Sequence, residues 1–521
     1  MGLSHAFIKR HRVLLITVVL VPTLLLSFQN CSSSQMEFKV DPASLAIEVP
    51  ICREMTAVEI APKLKFEWDY SKSFEPSYNR VMSTPVVGDL DGDGVPEIVF
   101  TTFKGNAYTS PGYVRVINGA DGHEEWTADK PELMAYGTIA PLLIDIEGDG
   151  KAEVIYLNKA ASGTNVIALN YDGTQRWIIN KPTSATVTDD SLSATDLDRD
   201  GIADIVAPGF VVSEKNKMPY IKTQLELVAG YNIPLNLQLA QPSSKPKMNI
   251  VNAMGIMDMY GKTVAKFNKT GHPAVADIYP DQAGSEIVLI GGGTFQVYSS
   301  QGKILVDKTL TEHTENTCSG TIGGGQATIG DFDGDEKSLE IAVATGRSLT
   351  IYDVKGNKIA GSLTRDCSSR KTGVASFDFN GEKKPEIVYA DEQYLRIYEL
   401  DGSLNLRPIW EIKNPSGTLS EYPVVADADG DGYADLVVSQ NSYSYDATPD
   451  SPFYQMNGVR VFGPTVKGSW MPTRAVWNQH NYFITNVTDD LRPTTTTYTM
   501  GQLPKSFKRN TFQDIPEVKC Q

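Results

Sequence analysis

Positive charge is in short supply in this 521-residue chain: 47 Lys and Arg face 63 Asp and Glu, a net charge of −16. That balance removes the basic footprint on which nucleic-acid binding depends and makes cations, metal ions first among them, the simplest partners. Histidine is scarce as well. Beyond the first dozen residues only His123, His272, His313 and His480 occur, none at metal-ligand spacing. The motifs GxSxG and HExxH, a Walker loop, and GxGxxG after a strand are all missing, which leaves no familiar enzyme signature. Long apolar runs are missing too, apart from "VLLITVVLVPTLLLSF" at 13–28, which is short for a membrane span and is interrupted by Pro22. Helix-favouring composition is also lacking. The 43 Gly and 29 Pro accompany many short Val/Ile/Tyr-rich runs bounded by Asp-Gly or Asn-Gly, the composition of short strands and tight turns.

What the chain does have is a recurring acidic motif. "DLDGDGVPEIVF" at 89–100 returns as "DIEGDGKAEVIY" (145–156), "DLDRDGIADIVA" (196–207), "DFDGDEKSLEIAVA" (331–344), "DFNGEKKPEIVYA" (378–390) and "DADGDGYADLVVS" (427–439), with a degenerate copy, "DIYPDQAGSEIVLI", at 277–290. The first aspartates stand 56, 51, 81, 54, 47 and 49 residues apart, which describes a unit of about 50 residues used seven times. An apolar strand precedes each loop, a second follows it, and a third leads into a turn. Four short strands per unit form a sheet that cannot bury both faces alone, so neighbouring sheets must stack. The expectation is an all-β, seven-bladed β-propeller of four-stranded antiparallel blades with calcium-binding loops. "LKFEWDYS" (64–71) reads as a fourth strand that completes the last blade and closes the ring.

Seven in-phase copies of strand, DxDGDGxxE/DI, strand resemble the FG-GAP or VCBS-type repeats of integrin-α-like propellers over about residues 62–465. The resemblance implies a propeller with calcium loops between the first two strands of its blades, and it leaves the ligand open. The chemistry of the loops agrees. Three alternating carboxylates in a tight turn repel one another unless a cation intervenes, and an all-oxygen donor set in a flexible loop suits Ca²⁺. The expected ligands are the side chains of Asp89, Asp91, Asp93 and Glu97 with the Val95 carbonyl; Asp145, Glu147, Asp149 and Glu153 with Lys151; and Asp196, Asp198, Asp200 and Asp204 with Ile202. They continue with Asp331, Asp333, Asp335 and Glu340; Asp378, Asn380, Glu382 and Glu386 with Lys384, a weaker set; and Asp427, Asp429, Asp431 and Asp435 with Tyr433. The loop holding Asp277, Asp281 and Glu286 is irregular and is expected to be empty. An EF-hand is excluded because position 12 of the first loop is Phe100 and its flanks are strands.

Two regions break the repeat. The 81-residue interval suggests an insertion at about 209–250, either a binding loop or a longer hairpin. "GSWMPTRAVWNQHNYFITNV" (468–487) is both aromatic and polar, so Trp470, Arg474, Trp477, Asn478, His480 and Tyr482 are candidates for stacking on and hydrogen-bonding a sugar. The competing reading of this stretch is a latch packed across the ring.

The N-terminus reads as an export signal (1–30), and Cys31 before a serine-rich spacer (31–61) resembles a bacterial lipoprotein signal, although Phe28, Gln29 and Asn30 replace the usual small residues. Plain cleavage and an uncleaved anchor remain open. Cys52 with Cys520 and Cys318 with Cys367 are disulfide candidates, with four buried thiols as the alternative. A C-terminal aromatic latch and tail (466–521) ends the chain. Together these features suggest an exported monomer at the bacterial outer membrane or cell surface, or in the periplasm, held to the membrane by lipid only. It would bind an extracellular protein or glycan without catalysis, the alternative being a carbohydrate-active lyase or hydrolase.

Overall fold

The computed structural model describes residues 60–160, 163–181, 191–228, 230–237, 248–312, 322–494 and 514–515. These residues contain eight four-stranded antiparallel units arranged as a β-propeller, one more than the repeat count suggests. Blade 1 spans 86–127, blade 2 142–181, blade 3 193–224, blade 4 233–266, blade 5 272–309, blade 6 328–363 and blade 7 375–413. Blade 8 takes three strands from 424–464 and its fourth from Pro62–Glu67, which pairs antiparallel with Gly458–Pro464 (Lys63 opposite Gly463, Leu64 opposite Phe462). The ring is therefore closed by strands from both ends of the propeller region, as the sequence suggests.

The missing blade accounts for the 81-residue interval. The presumed insertion at 209–250 supplies the last two strands of blade 3 (Phe210–Lys215 and Met218–Gln224) and the first two of blade 4 (Ile233–Leu235 and Asn249–Asn252). Asn236 follows the first strand of blade 4 where Asp196 follows that of blade 3, dividing the interval into 40 and 41 residues. The blade escaped recognition because its first turn carries no acidic motif.

Burial grades outward through each blade. Second strands such as Glu97–Thr102 and Asp435–Gln440 are buried at every residue, because blades stack on both of their faces. Fourth strands such as Glu124–Thr127 and Met218–Gln224 are mixed or exposed. The short first strands, three to five residues long and almost wholly buried, line the axis. Inside blade 7 a further short strand, Asp514–Ile515, pairs parallel to Ser376 and Phe377. The export signal, the spacer up to residue 59, Cys31, Cys52, Cys318 and Cys520 lie outside the described residues; of the four disulfide candidates only Cys367 lies within them.

Candidate functional site

The acidic loops join first to second strands, and six of them share one backbone design. The first aspartate accepts an N–H from the sixth loop residue in every case: Asp89 from Gly94 (2.9 Å), Asp145 from Gly150 (2.9 Å), Asp196 from Gly201 (2.9 Å), Asp331 from Glu336 (3.0 Å), Asp378 from Lys383 (2.7 Å) and Asp427 from Gly432 (2.8 Å). That sixth residue always has positive φ, from 55° at Glu336 to 92° at Gly94, which explains the preference for glycine there. The fifth residue caps the seventh: Asp93 accepts from Val95 (2.8 Å), Asp149 from Lys151 (3.0 Å), Asp200 from Ile202 (2.9 Å) and Asp431 from Tyr433 (3.0 Å). The last carboxylate reaches back to the residue after the first aspartate. Glu97 accepts from Leu90 (2.7 Å), Glu153 from Ile146 (3.0 Å), Asp204 from Leu197 (3.1 Å), Glu340 from Phe332 (3.0 Å), Glu386 from Phe379 (3.0 Å) and Asp435 from Ala428 (3.3 Å). Each loop thus staples two strands of its blade.

In four loops the carboxylates converge, with ligand oxygens within 4.8 Å of one another: Asp89, Asp91 and Asp93 in blade 1; Asp196, Asp198 and Asp204 in blade 3; Asp331, Asp333 and Asp335 in blade 6; Asp427, Asp429 and Asp435 in blade 8. The predicted sets of blade 2 (Asp145, Glu147, Asp149, Glu153) and blade 7 (Asp378, Asn380, Glu382, Glu386) are not among the convergent groups of described residues. In blade 2 Arg176 draws off both glutamates, and in blade 7 the Asn380 amide donates to Glu386 (3.1 Å). Where carboxylates do converge, hard oxygen donors and a permissive turn fit a divalent cation such as Ca²⁺.

Burial and like charge raise the last carboxylates of the loops. Burial pushes Glu97 up to about 8, with the carboxylates of Glu125, Asp91 and Asp89 adding to the rise. Burial likewise lifts Glu386 to about 8 and Glu340 to about 7. In blades 3 and 8 lysines oppose the effect. Burial raises Asp204 to about 6 against Lys222 (2.8 Å), and Asp435 to about 7 against Lys65 (2.6 Å). Lys65, Arg176 and Lys222 were not singled out in the sequence, because only the strand register brings them to the loops.

The segment 468–487 is a plug. Trp470, Trp477, Asn478, His480 and Tyr482 are buried to 3 % exposure or less, and Arg474 is largely buried. Its backbone and amides bond the innermost strands around the ring. Trp477 exchanges two 2.9 Å hydrogen bonds with Val87 of blade 1, and the Asn478 carbonyl accepts from Leu143 of blade 2 (2.8 Å). Gln479 accepts from Ala194 of blade 3 (3.0 Å), and Asn481 donates to Ser191 (2.6 Å) and accepts from Gln326 beside blade 6 (2.9 Å). The Arg474 carbonyl accepts from Asp427 of blade 8 (2.9 Å), and Met471 donates to Phe379 of blade 7 (3.0 Å). Trp477 stacks on Tyr482 at 4.8 Å, and the Arg474 guanidinium donates to Tyr482 (3.1 Å) and to the carbonyls of Ile484 and Val487. Burial drives His480 down to about 3, with His272 a second cause, so its imidazole is neutral in the folded protein. These six sugar-binding candidates present no open ring face to a ligand; the aromatic groups fill the axis and the amides satisfy inner-strand ends.

The strands and their loops define a β-propeller with repeated acidic turns between first and second strands. A family model described as FG-GAP-like repeat matches residues 107–207 and 378–438. Among solved structures the chain is similar to the V. cholerae biofilm matrix protein Bap1, at 19 % identity and a TM-score of 0.70 over 88 % of this chain and 100 % of that one. It is also similar to the exotype rhamnogalacturonan lyase YesX, at 17 % identity and a TM-score of 0.51 over 78 % and 76 %. At these identities the likeness is one of fold. No curated protein sequence matches.

Proposed function

We propose that the protein is an exported, calcium-stabilised propeller that acts as a non-enzymatic binding or adhesion module for an extracellular protein or glycan. Attachment to the membrane would come through lipid on Cys31, and disulfides Cys318–Cys367 and Cys52–Cys520 would brace it. The observation that supports this reading is the plugged axis. The central cleft, where a propeller enzyme would gather an asymmetric pair of titratable groups, is taken up by Trp470 to Phe483, and the carboxylates of the acidic loops are repeated strand staples. Ligand contact then falls to the outer loops, and the fold shared with a biofilm matrix protein is in keeping with such a role. The second reading, a carbohydrate-active enzyme, draws on the fold shared with a rhamnogalacturonan lyase.

A binding screen of the full chain against glycans and surface proteins, with and without calcium, separates the two. Saturable binding that leaves the ligand chemically intact supports the module. Release of shortened or unsaturated oligosaccharides would overturn it in favour of the enzyme.

A further inference from the structure

A shared irregularity of the outer strands sorts the acidic loops into two kinds. In all eight blades the register between third and fourth strand slips by one residue at the same place, leaving a bulge residue out of the ladder: Glu125 in blade 1, Arg176 in blade 2, Lys222 in blade 3, Val264 in blade 4, Leu305 in blade 5, Ile359 in blade 6, Ile409 in blade 7 and Lys65 in blade 8. The three basic ones make the same contacts, reaching the third and ninth residues of their own blade's loop. Lys65 pairs with Asp429 (2.7 Å) and Asp435 (2.6 Å), and Lys222 with Asp198 (2.7 Å) and Asp204 (2.8 Å). Arg176 pairs with Glu147 and with Glu153 (3.1 Å).

The convergent groups divide along the same line. With a lysine at the bulge, in blades 3 and 8, the first, third and ninth residues gather. With Glu125 or Ile359 there, in blades 1 and 6, the first, third and fifth gather instead. In two of the four groups a protein ammonium already lies among the carboxylates, and in the other two the bulge residue can offer no positive charge. A divalent ion entering blade 3 or 8 would have to expel that ammonium or share its carboxylates with a like charge.

We propose that in blades 1, 2, 3, 6 and 8 the bulge residue decides whether the loop takes a divalent cation: Lys65, Arg176 and Lys222 neutralise blades 8, 2 and 3 from within the chain, whereas blades 1 and 6 depend on calcium. This rests on the calcium reading above and divides its loops into two kinds. Blade 1 is the most dependent, since Glu125 adds a fifth carboxylate where blades 2, 3 and 8 carry a base.

Calcium bound per full-length chain, measured by equilibrium dialysis, tests the assignment. Lys65→Met and Lys222→Met are each expected to raise the count by one, the double variant by two, and Glu125→Lys to lower it by one, with near-UV circular dichroism confirming the fold. Glu125 is exposed, so Glu125→Lys carries the decision even where a lysine variant fails to fold. A wild-type count that none of the variants changes would overturn the assignment and leave the calcium reading standing. No calcium bound by any of the proteins would overturn both.

Discussion

The acidic loops and the axial plug are both polar, and they use polarity in opposite ways. A loop repeats six times at the ring's surface, and its carboxylates are held in place by its own backbone N–H groups, so each copy is nearly complete by itself. The plug occurs once, and its backbone and side-chain amides are bonded to seven different residues of the ring. The role of each polar cluster follows from what completes it. Local completion makes a module that can be copied or lost blade by blade, as blade 4 has lost its own, whereas completion by distant strands makes a part the whole ring depends on.

Substitutions should expose that difference most strongly at the plug. Trp477→Ala removes a fully buried indole and should cost about 3–5 kcal/mol in denaturant unfolding; a loss below about 1 kcal/mol would mean that the axis does not need filling. Removing calcium is the corresponding blow to the loops. For a site held at a hundred times its Kd, ligation contributes about 2.7 kcal/mol, so chelation should lower Tm by several degrees, and an unchanged melt would remove the metal from the account. Asn481→Ala, which removes one of the acceptors of the buried Gln326 amide and the amide that donates to Ser191, should cost about 1–3 kcal/mol.

A pH series sharpens the comparison further. Glu97, Glu386 and Glu340 have folded pKa values raised to about 8, 8 and 7. The stability they contribute is therefore complete below their unfolded values and is lost as pH rises through about 7 to 8. Chelated protein should accordingly gain Tm on acidification from about pH 8 to about 6.5, and saturating calcium should flatten that slope by favouring the ionised carboxylates. His480 works the other way. Its folded value is depressed to about 3, so its contribution is lost as pH falls below its unfolded value near 6.5, and a plug-specific loss of stability should begin there. The smallest effect belongs to a single turn. Lys383 holds φ at 66° where four sister loops have glycine, and Lys383→Gly should change stability by no more than about 1 kcal/mol, strain relief being offset by unfolded-state entropy.

The sequence made the loops legible because their spacing and chemistry recur, and the blade architecture followed from that periodicity. Blade 4 stayed hidden because Asn236 stands where its sisters have aspartate and the motif is gone, although its strands are ordinary. The bulge bases were invisible for a different reason: a one-residue register slip, which no local pattern announces, determines whether Lys65 or Leu64 faces the loop. The plug was visible as a cluster of aromatic and amide side chains, but those same groups suit a sugar or a packed axis, and only the surrounding strands distinguish the two.

The claim that the axis is filled is most directly tested by hydrogen exchange of the full-length protein, read on peptides covering 470–491. Protection is expected to equal that of peptides containing the first strands at Val86–Gly88 and Leu142–Ile144, to which this segment is bonded. Exchange as fast as that of an exposed loop, with the inner strands still protected, would contradict it.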